Sequence, residues 1–312
     1  IWAKPPVVGP TPPLDFTHKK PERYVLKNGV VVYLLEDHEL PLFSLSMTFK
    51  MTPSDGEGAP YGSVGIFGGQ WRAGGTQSRR PKDLNDELEF LPARVETSAG
   101  EESASISLSC LSKDIEKGLE IFSDVLFHPR FDPKKFSLVK AKALEGLRRK
   151  NDNPSNIARR AFRDMVYGKT HLYALNTTEE GIKKIKRKHL IALYKKVVVP
   201  DHAFISVSGD FDSKEMIKTL DRMFEDWSPI GRKLETYDYA LKDRLKGPIF
   251  YVEKDISQAR IYMGKIGISR LDPDEFTIGL LNYILGGGGT SRLFAEIPVA
   301  FGIGLCCWEL FQ

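Results

Sequence analysis

The sequence predicts an α+β fold: a mostly antiparallel sheet covered on one face by helices, followed by the start of a second, related domain. Three observations carry this. Residues 24–36, 42–51 and Ala104–Leu111 alternate apolar and polar side chains, the period of half-buried strands. From residue 112 to 224 the spacing becomes that of amphipathic helices, grouped after these strands. Past a polar stretch, residues 248–254 and 258–268 look like the opening strands of the second domain.

In chain order, Asn28-Gly29 is a tight-turn signal between strands. The loop Thr52–Pro60, rich in Gly and Pro, delivers the chain to a glycine-rich helix that starts at Gly62 and stops at Gly74-Gly75-Thr76. Pro81 opens a short helix with acids in its first turns, where the helix dipole favours them. Arg94–Ser98 and Ala104–Leu111 read as a strand pair joined at Ala99-Gly100-Glu101-Glu102. Helices are expected over about 112–127 and 133–150, from Asn153-Pro154 onward, and from Thr178, with Glu179 and Glu180 in its first turn. The strand Ala203–Asp212 and a helix from Ser213 to Phe224 close the first domain. The expected division is a Pro-rich leader over 1–20, a first domain over 21–227, a linker over 228–247 and the opening of a second domain over 248–312, with two strands and a helix from Pro273 to Leu285.

At 312 residues, with 41% hydrophobic and 28% charged side chains, the chain is long enough for two domains of ordinary globular composition. A net charge of +4 gives no warrant for nucleic-acid binding, and no run approaches the ~18 apolar residues of a membrane span. The densest basic run, Lys183–His189, interleaves with Ile182, Ile185, Leu190 and Tyr194 at helical spacing and reads as a solvated helix face. The leader from Ile1 looks like the remainder left after removal of a signal peptide, which predicts export to a periplasm, with a cytoplasmic location as the alternative. Cys110 and the adjacent pair Cys306-Cys307 read as buried thiols without a disulfide framework. The six histidines, His18, His38, His128, His171, His189 and His202, lie at least thirteen residues apart, so no two form a local helical metal pair.

The order of motifs is specific: Leu26-Lys-Asn-Gly-Val-Val-Val-Tyr33, Glu36-Asp-His-Glu-Leu-Pro41, the helix ending at Gly74-Gly75-Thr76, the strand Ala104–Leu111, and Phe131-Asp-Pro-Lys-Lys-Phe136 opening a long helix. From about Tyr24 onward the chain resembles the M16 peptidase family, the group of pitrilysin, insulin-degrading enzyme and the mitochondrial processing peptidase, and especially its short-chain, two-subunit bacterial members. The resemblance implies the fold shared by LuxS and the processing peptidase. It also implies where a zinc site would be. Active members carry His-x-x-Glu-His in the glycine-rich helix, with two histidines on one face and a Glu as general base. The matching positions here are Gly65, Gly68 and Gly69, and the third-ligand position falls on Glu145. Glycine has no side-chain donor, and one carboxylate falls short of the about three protein ligands of a catalytic zinc. Restoring His, Glu and His at the three positions is expected to rebuild the ligand face opposite Glu145.

A second family site also departs from pattern. Ser291–Ile297 matches the segment through which an inactive subunit lends an Arg and a Tyr to its partner's substrate carbonyl, but those two positions hold Pro298 and Leu305. The run Gly286, Gly287, Gly288 and Gly289, with Arg292 after it, resembles the family's substrate-touching glycine loop; no Lys follows to make it a phosphate loop. The expectation is therefore a non-catalytic subunit that pairs with an active M16 zinc peptidase, or with a second copy as a clamshell, and helps enclose an unfolded peptide. No cofactor is expected in this chain, with zinc only in an active partner. The alternatives are a zinc-dependent metalloendopeptidase with atypical ligands and a structural or carrier protein of the same fold.

Overall fold

A computed structural model of the protein describes residues 19–235 and 249–301. The leader up to residue 18, residues 236–248 of the expected linker and second domain, Leu305 and Cys306-Cys307 lie outside the described residues. Six strands form one sheet: β1 (Glu22–Val25), β2 (Val31–Glu36), β3 (Leu42–Lys50), β4 (Arg94–Ala99), β5 (Ser103–Leu111) and β6 (Ala203–Gly209), in the order β1-β2-β6-β3-β5-β4. Every neighbouring pair is antiparallel except β2 with β6. The first expected strand region is divided by the Asn28-Gly29 turn, where Gly29 adopts φ +86°, left-handed backbone that glycine reaches without penalty.

The alternation sets which face is buried. On β3, Phe43, Leu45, Met47 and Phe49 point into the core while Ser44, Ser46 and Thr48 stay on the other face; β5 repeats this with Ile106, Leu108 and Cys110 against Ser105, Ser107 and Ser109. The buried face is covered by α1 (Ser63–Ala73), α2 (Pro81–Phe90), α3 (Ile115–Phe127), α7 (Arg187–Val197) and α8 (Ser213–Met223), whose Phe67, Trp71, Leu84, Phe122, Leu190 and Leu220 join the strand residues in one apolar cluster. Trp71 is fully buried; its indole N–H donates to the Val125 carbonyl at 3.0 Å, and its ring stacks on Phe67 with centroids 5.6 Å apart. Burying an aromatic of this size stabilises the domain by about 3 kcal/mol.

The other helices are α4 (Pro133–Arg148), α5 (Pro154–Tyr167), α6 (Glu179–Lys184), α9 (Glu275–Gly286) and α10 (Arg292–Phe301). The basic run 183–189 is not one helix face. The helix breaks at Ile185-Lys186 between α6 and α7, because Ile185 is drawn fully into the core and its carbonyl accepts a hydrogen bond from Lys140 Nζ at 2.8 Å rather than continuing the helix. Contacts divide the chain into two compact units, Ile1–Asp152 with Leu175–Ala240, and Asn153–Ala174 with Leu241–Gln312. In the second, the strands expected at Pro248 and Gln258 do not form: residues 249–269 carry no strand, and Ile249, Tyr251, Ile261 and Met263 are exposed. An apolar, β-branched stretch does not make a strand without a neighbour to accept its hydrogen bonds.

At the end of the sheet, His38 ties the β2–β3 loop to the exit of β6. Its Nδ1 lies 2.6 Å from Asp210 Oδ1 and its Nε2 2.9 Å from Glu36 Oε1, while the other Glu36 oxygen accepts from the Ser213 backbone and hydroxyl. The Asp210 and then the Glu36 hydrogen bond hold the His38 pKa above its ordinary 6.5. A raised histidine pKa contributes stability that is fully present below about 6.5 and is lost as pH rises through the folded value. An NMR titration of His38 should give a midpoint above that of free histidine, and His38→Gln should flatten the fall of the urea midpoint across this window. A midpoint at or below the free value would show that the three groups do not interact in solution.

Candidate functional site

Helix α1 is shaped by its glycines. Gly62 at its N-cap has φ +93°, and Gly75 just past its end has φ +71°. Inside, Ile66, Phe67 and Trp71 fill the core-facing side, which holds the helix although Gly65, Gly68 and Gly69 each lower its propensity by about 1 kcal/mol relative to Ala. Those three positions differ sharply. Gly65 and Gly69, four residues apart, are exposed, and a Cβ on either meets nothing within 4 Å. Gly68 is buried against β4, where a Cβ would lie 2.2 Å from the Ala99 nitrogen and 2.7 Å from the Ser98 carbonyl carbon. Thr97 completes the contact: its hydroxyl donates to the Gly68 carbonyl at 2.7 Å and accepts from the Arg72 N–H at 3.1 Å, inserting itself between the two ends of an ordinary helical hydrogen bond. Strand β4 therefore occupies the place that a general base at position 68 would need.

Across from α1 lies an open recess of about 440 Å³, lined by Gly62, Gly65, Ile66, Ala143, Gly146, Leu147, Lys150, Thr177 and Ile182. Helix α4 presents Ala143, Gly146 and Leu147 to it. Glu145 is exposed and pairs instead with Arg149 one turn on, Oε1 to Nε 2.9 Å. The recess thus has no carboxylate, imidazole or thiolate in its lining, and among the described residues no group of three His, Cys, Asp or Glu side chains is placed to hold a metal ion. The zinc that the family pattern implies does not fit these residues. Cys110, the buried thiol of β5, is pushed up to about 11 by burial and is no nucleophile at neutral pH. Lys150, Gly146 and Thr97 escape a sequence reading because helix phase and strand edge bring them to α1, not spacing along the chain.

The glycine loop of the second unit is a tight connection between α9 and α10. Gly286 ends α9, Gly287 donates to the Tyr283 carbonyl, and the Ser291 N–H donates to the Gly288 carbonyl. A Cβ at Gly287 would lie 2.7 Å from Tyr283 Cα, whereas Gly289 faces open space. Arg292 is exposed, with Nε 3.8 Å from Glu296 Oε1, and the backbone at Pro298 is within α10.

Helices on one face of a mixed sheet, with a sheet-edge helix at the ligand positions, define a metallohydrolase-type scaffold without a metal-binding set among the described residues. Comparison with known proteins agrees with this class. A family model described as insulinase (peptidase family M16) matches residues 73–176, beginning just past the three glycines, and one described as the peptidase M16 inactive domain matches residues 184–299. The chain belongs to the M16 peptidase family. It is 24% identical over 235 residues to an uncharacterized zinc protease of Rickettsia bellii, covering 73% of this chain and 55% of that protein. It is 22% identical over 190 residues to a Bacillus subtilis protein named probable inactive metalloprotease YmfF, covering 59% and 44%. The chain thus spans about half the length of these relatives. The fold matches a Pseudomonas fluorescens structure described as a peptidase M16 inactive domain, with TM-score 0.74, 23% identity, and 91% of this chain against 69% of that one.

Proposed function

We propose that this chain is a non-catalytic M16 subunit that pairs with an active zinc peptidase, or with a second copy of itself, and binds an extended peptide beside α1. The observation that carries this is the packing of Gly68 on β4, which leaves no space for a general base, while glycines at positions 65 and 69 supply no imidazole ligands. What supports the peptide is position: β4 is the outermost strand of the sheet next to α1, and an extended segment can add to such an edge through main-chain hydrogen bonds. The glycine loop at Gly286–Gly289, with Arg292, is part of the same proposal as a second peptide contact.

Elemental analysis of the purified chain should find no stoichiometric zinc, and a quenched fluorogenic peptide should remain uncut by the chain alone while still binding to it. One zinc per chain, removed by a chelator together with peptidase activity, would establish the metallopeptidase with atypical ligands instead. A chain that neither cuts nor binds peptides would favour the structural or carrier reading.

A further inference from the structure

We infer that the recess between α1 and α4 selects an acidic peptide segment, seating one apolar side chain with carboxylates flanking it. This rests on the peptide-binding reading above and specifies its substrate class. The recess, at about 440 Å³, accommodates one or two side chains, and its lining is apolar or small apart from Thr177 and Lys150. No acid is among these residues, so nothing in the lining attracts a basic peptide.

Two stretches beside the recess carry a local excess of basic residues: one contains α4, and the other runs from the lining residue Ile182 of α6 into α7. Residues 133–152, which contain α4, hold seven Lys or Arg against two acids, and residues 178–197, which contain α6 and α7, again hold seven against two, in a chain whose totals are 45 and 41. Some of this charge is met locally: Arg149 pairs with Glu145, Lys183 with Glu179 and Lys184 with Glu180. Lys196 also pairs with Asp55, 3.5 Å away and outside both segments, and together the two segments hold fourteen Lys or Arg against four acids. Arg148, Arg149 and Lys150 follow one another at the end of α4, all exposed, beside the mouth of the recess. A field of one sign around a concave apolar site favours the opposite charge on what enters it. A nucleic acid fits this less well, because the lining offers no aromatic ring on which a base could stack.

The test uses the full chain and three short fluorescein-labelled peptides with a central Leu flanked by Asp and Glu, by Lys and Arg, or by Ser, read by anisotropy. The acidic peptide should bind about tenfold more tightly than the basic one at low ionic strength, with the gap closing as salt shortens the screening length. Lys150→Glu should reverse the order. Gly65→Trp, which projects a ring from a position with open space around it, should weaken the acidic peptide by about tenfold or more while leaving the melting temperature near that of the parent chain. Binding without charge preference, binding indifferent to Gly65→Trp, or a short oligonucleotide that competes equally well would each overturn the inference and leave the peptide-binding reading standing. Failure of all three peptides to bind would instead remove that reading.

Discussion

Gly68→Ala is expected to cost about 3 kcal/mol and to lower the melting temperature by about 6–12 °C, a large effect for one methyl group. The added carbon would lie 2.2 Å from the Ala99 nitrogen and 2.7 Å from the Ser98 carbonyl carbon. Both are backbone atoms of a paired strand, so no side chain can swing aside. Either α1 lifts from β4, which breaks the two hydrogen bonds of Thr97, or the edge of the sheet bends. Gly65→His and Gly69→His should behave oppositely, because each enters open space and relieves part of the about 1 kcal/mol that glycine costs in a helix. Together they place two imidazoles four residues apart on an exposed face, enough for weak, chelator-reversible binding of a divalent transition metal. Adding Gly68→Glu to complete the motif should then destabilise the domain instead of supplying a base, which corrects the expectation that three restored side chains would rebuild the site. Calorimetry of the single variants decides the matter: a parent-like melting temperature for Gly68→Ala, with a loss for Gly65→His, would mean that α1 is not seated on β4 in this register.

Arg232→Met should destabilise the first unit by about 3–5 kcal/mol, the range for removing one partner of a buried ion pair. Residues 228–235 read from the sequence as linker, yet Arg232 and Asp55 have side chains only 6% and 7% exposed, with Nη2 2.5 Å from Oδ2. The Arg232 Nη1 also donates to the Lys50 carbonyl at 3.0 Å, and its backbone N–H donates to Asp201 Oδ1 at 2.8 Å. Without the guanidinium, Asp55 would keep a distant cation, Lys196 at 3.5 Å, and a backbone N–H from Thr52 at 2.8 Å. A buried carboxylate so poorly compensated is costly. Asp55→Asn combined with Arg232→Met should recover much of the loss, since the uncompensated charge is then gone. Urea denaturation of the two single variants and the double gives the coupling directly. A loss below about 1 kcal/mol for Arg232→Met would show that this segment does not dock on the end of the sheet.

Local signals in the sequence were sound where one element decides them. The alternation of β3 and β5, the Asn28-Gly29 turn and the helix stop at Gly74-Gly75 all appear where the residues place them. The features that were not legible depend on partners far along the chain. The parallel pairing of β2 with β6 joins Val31 to Phe204, and no local pattern announces it. The break at Ile185 reflects a core contact and a carbonyl taken by Lys140 on another helix. Residues 249–269 are as rich in Ile, Tyr and Val as a strand needs, but no strand lies beside them among the described residues.

The candidate site divides along the same line. That positions 65, 68 and 69 offer no side-chain metal ligand is determined by the sequence alone, because no fold can give glycine a side-chain donor. The tertiary structure decided the state of the space around them. Gly65 and Gly69 face outward, Gly68 is closed off by the backbone of β4, and α4 turns Gly146 toward the recess and Glu145 toward Arg149. The phase of a helix about its own axis is set by the surfaces packed against it, and for α1 those surfaces are β4, α4 and α7, which begin about 30, 70 and 120 residues further along the chain, beyond the reach of any local spacing rule.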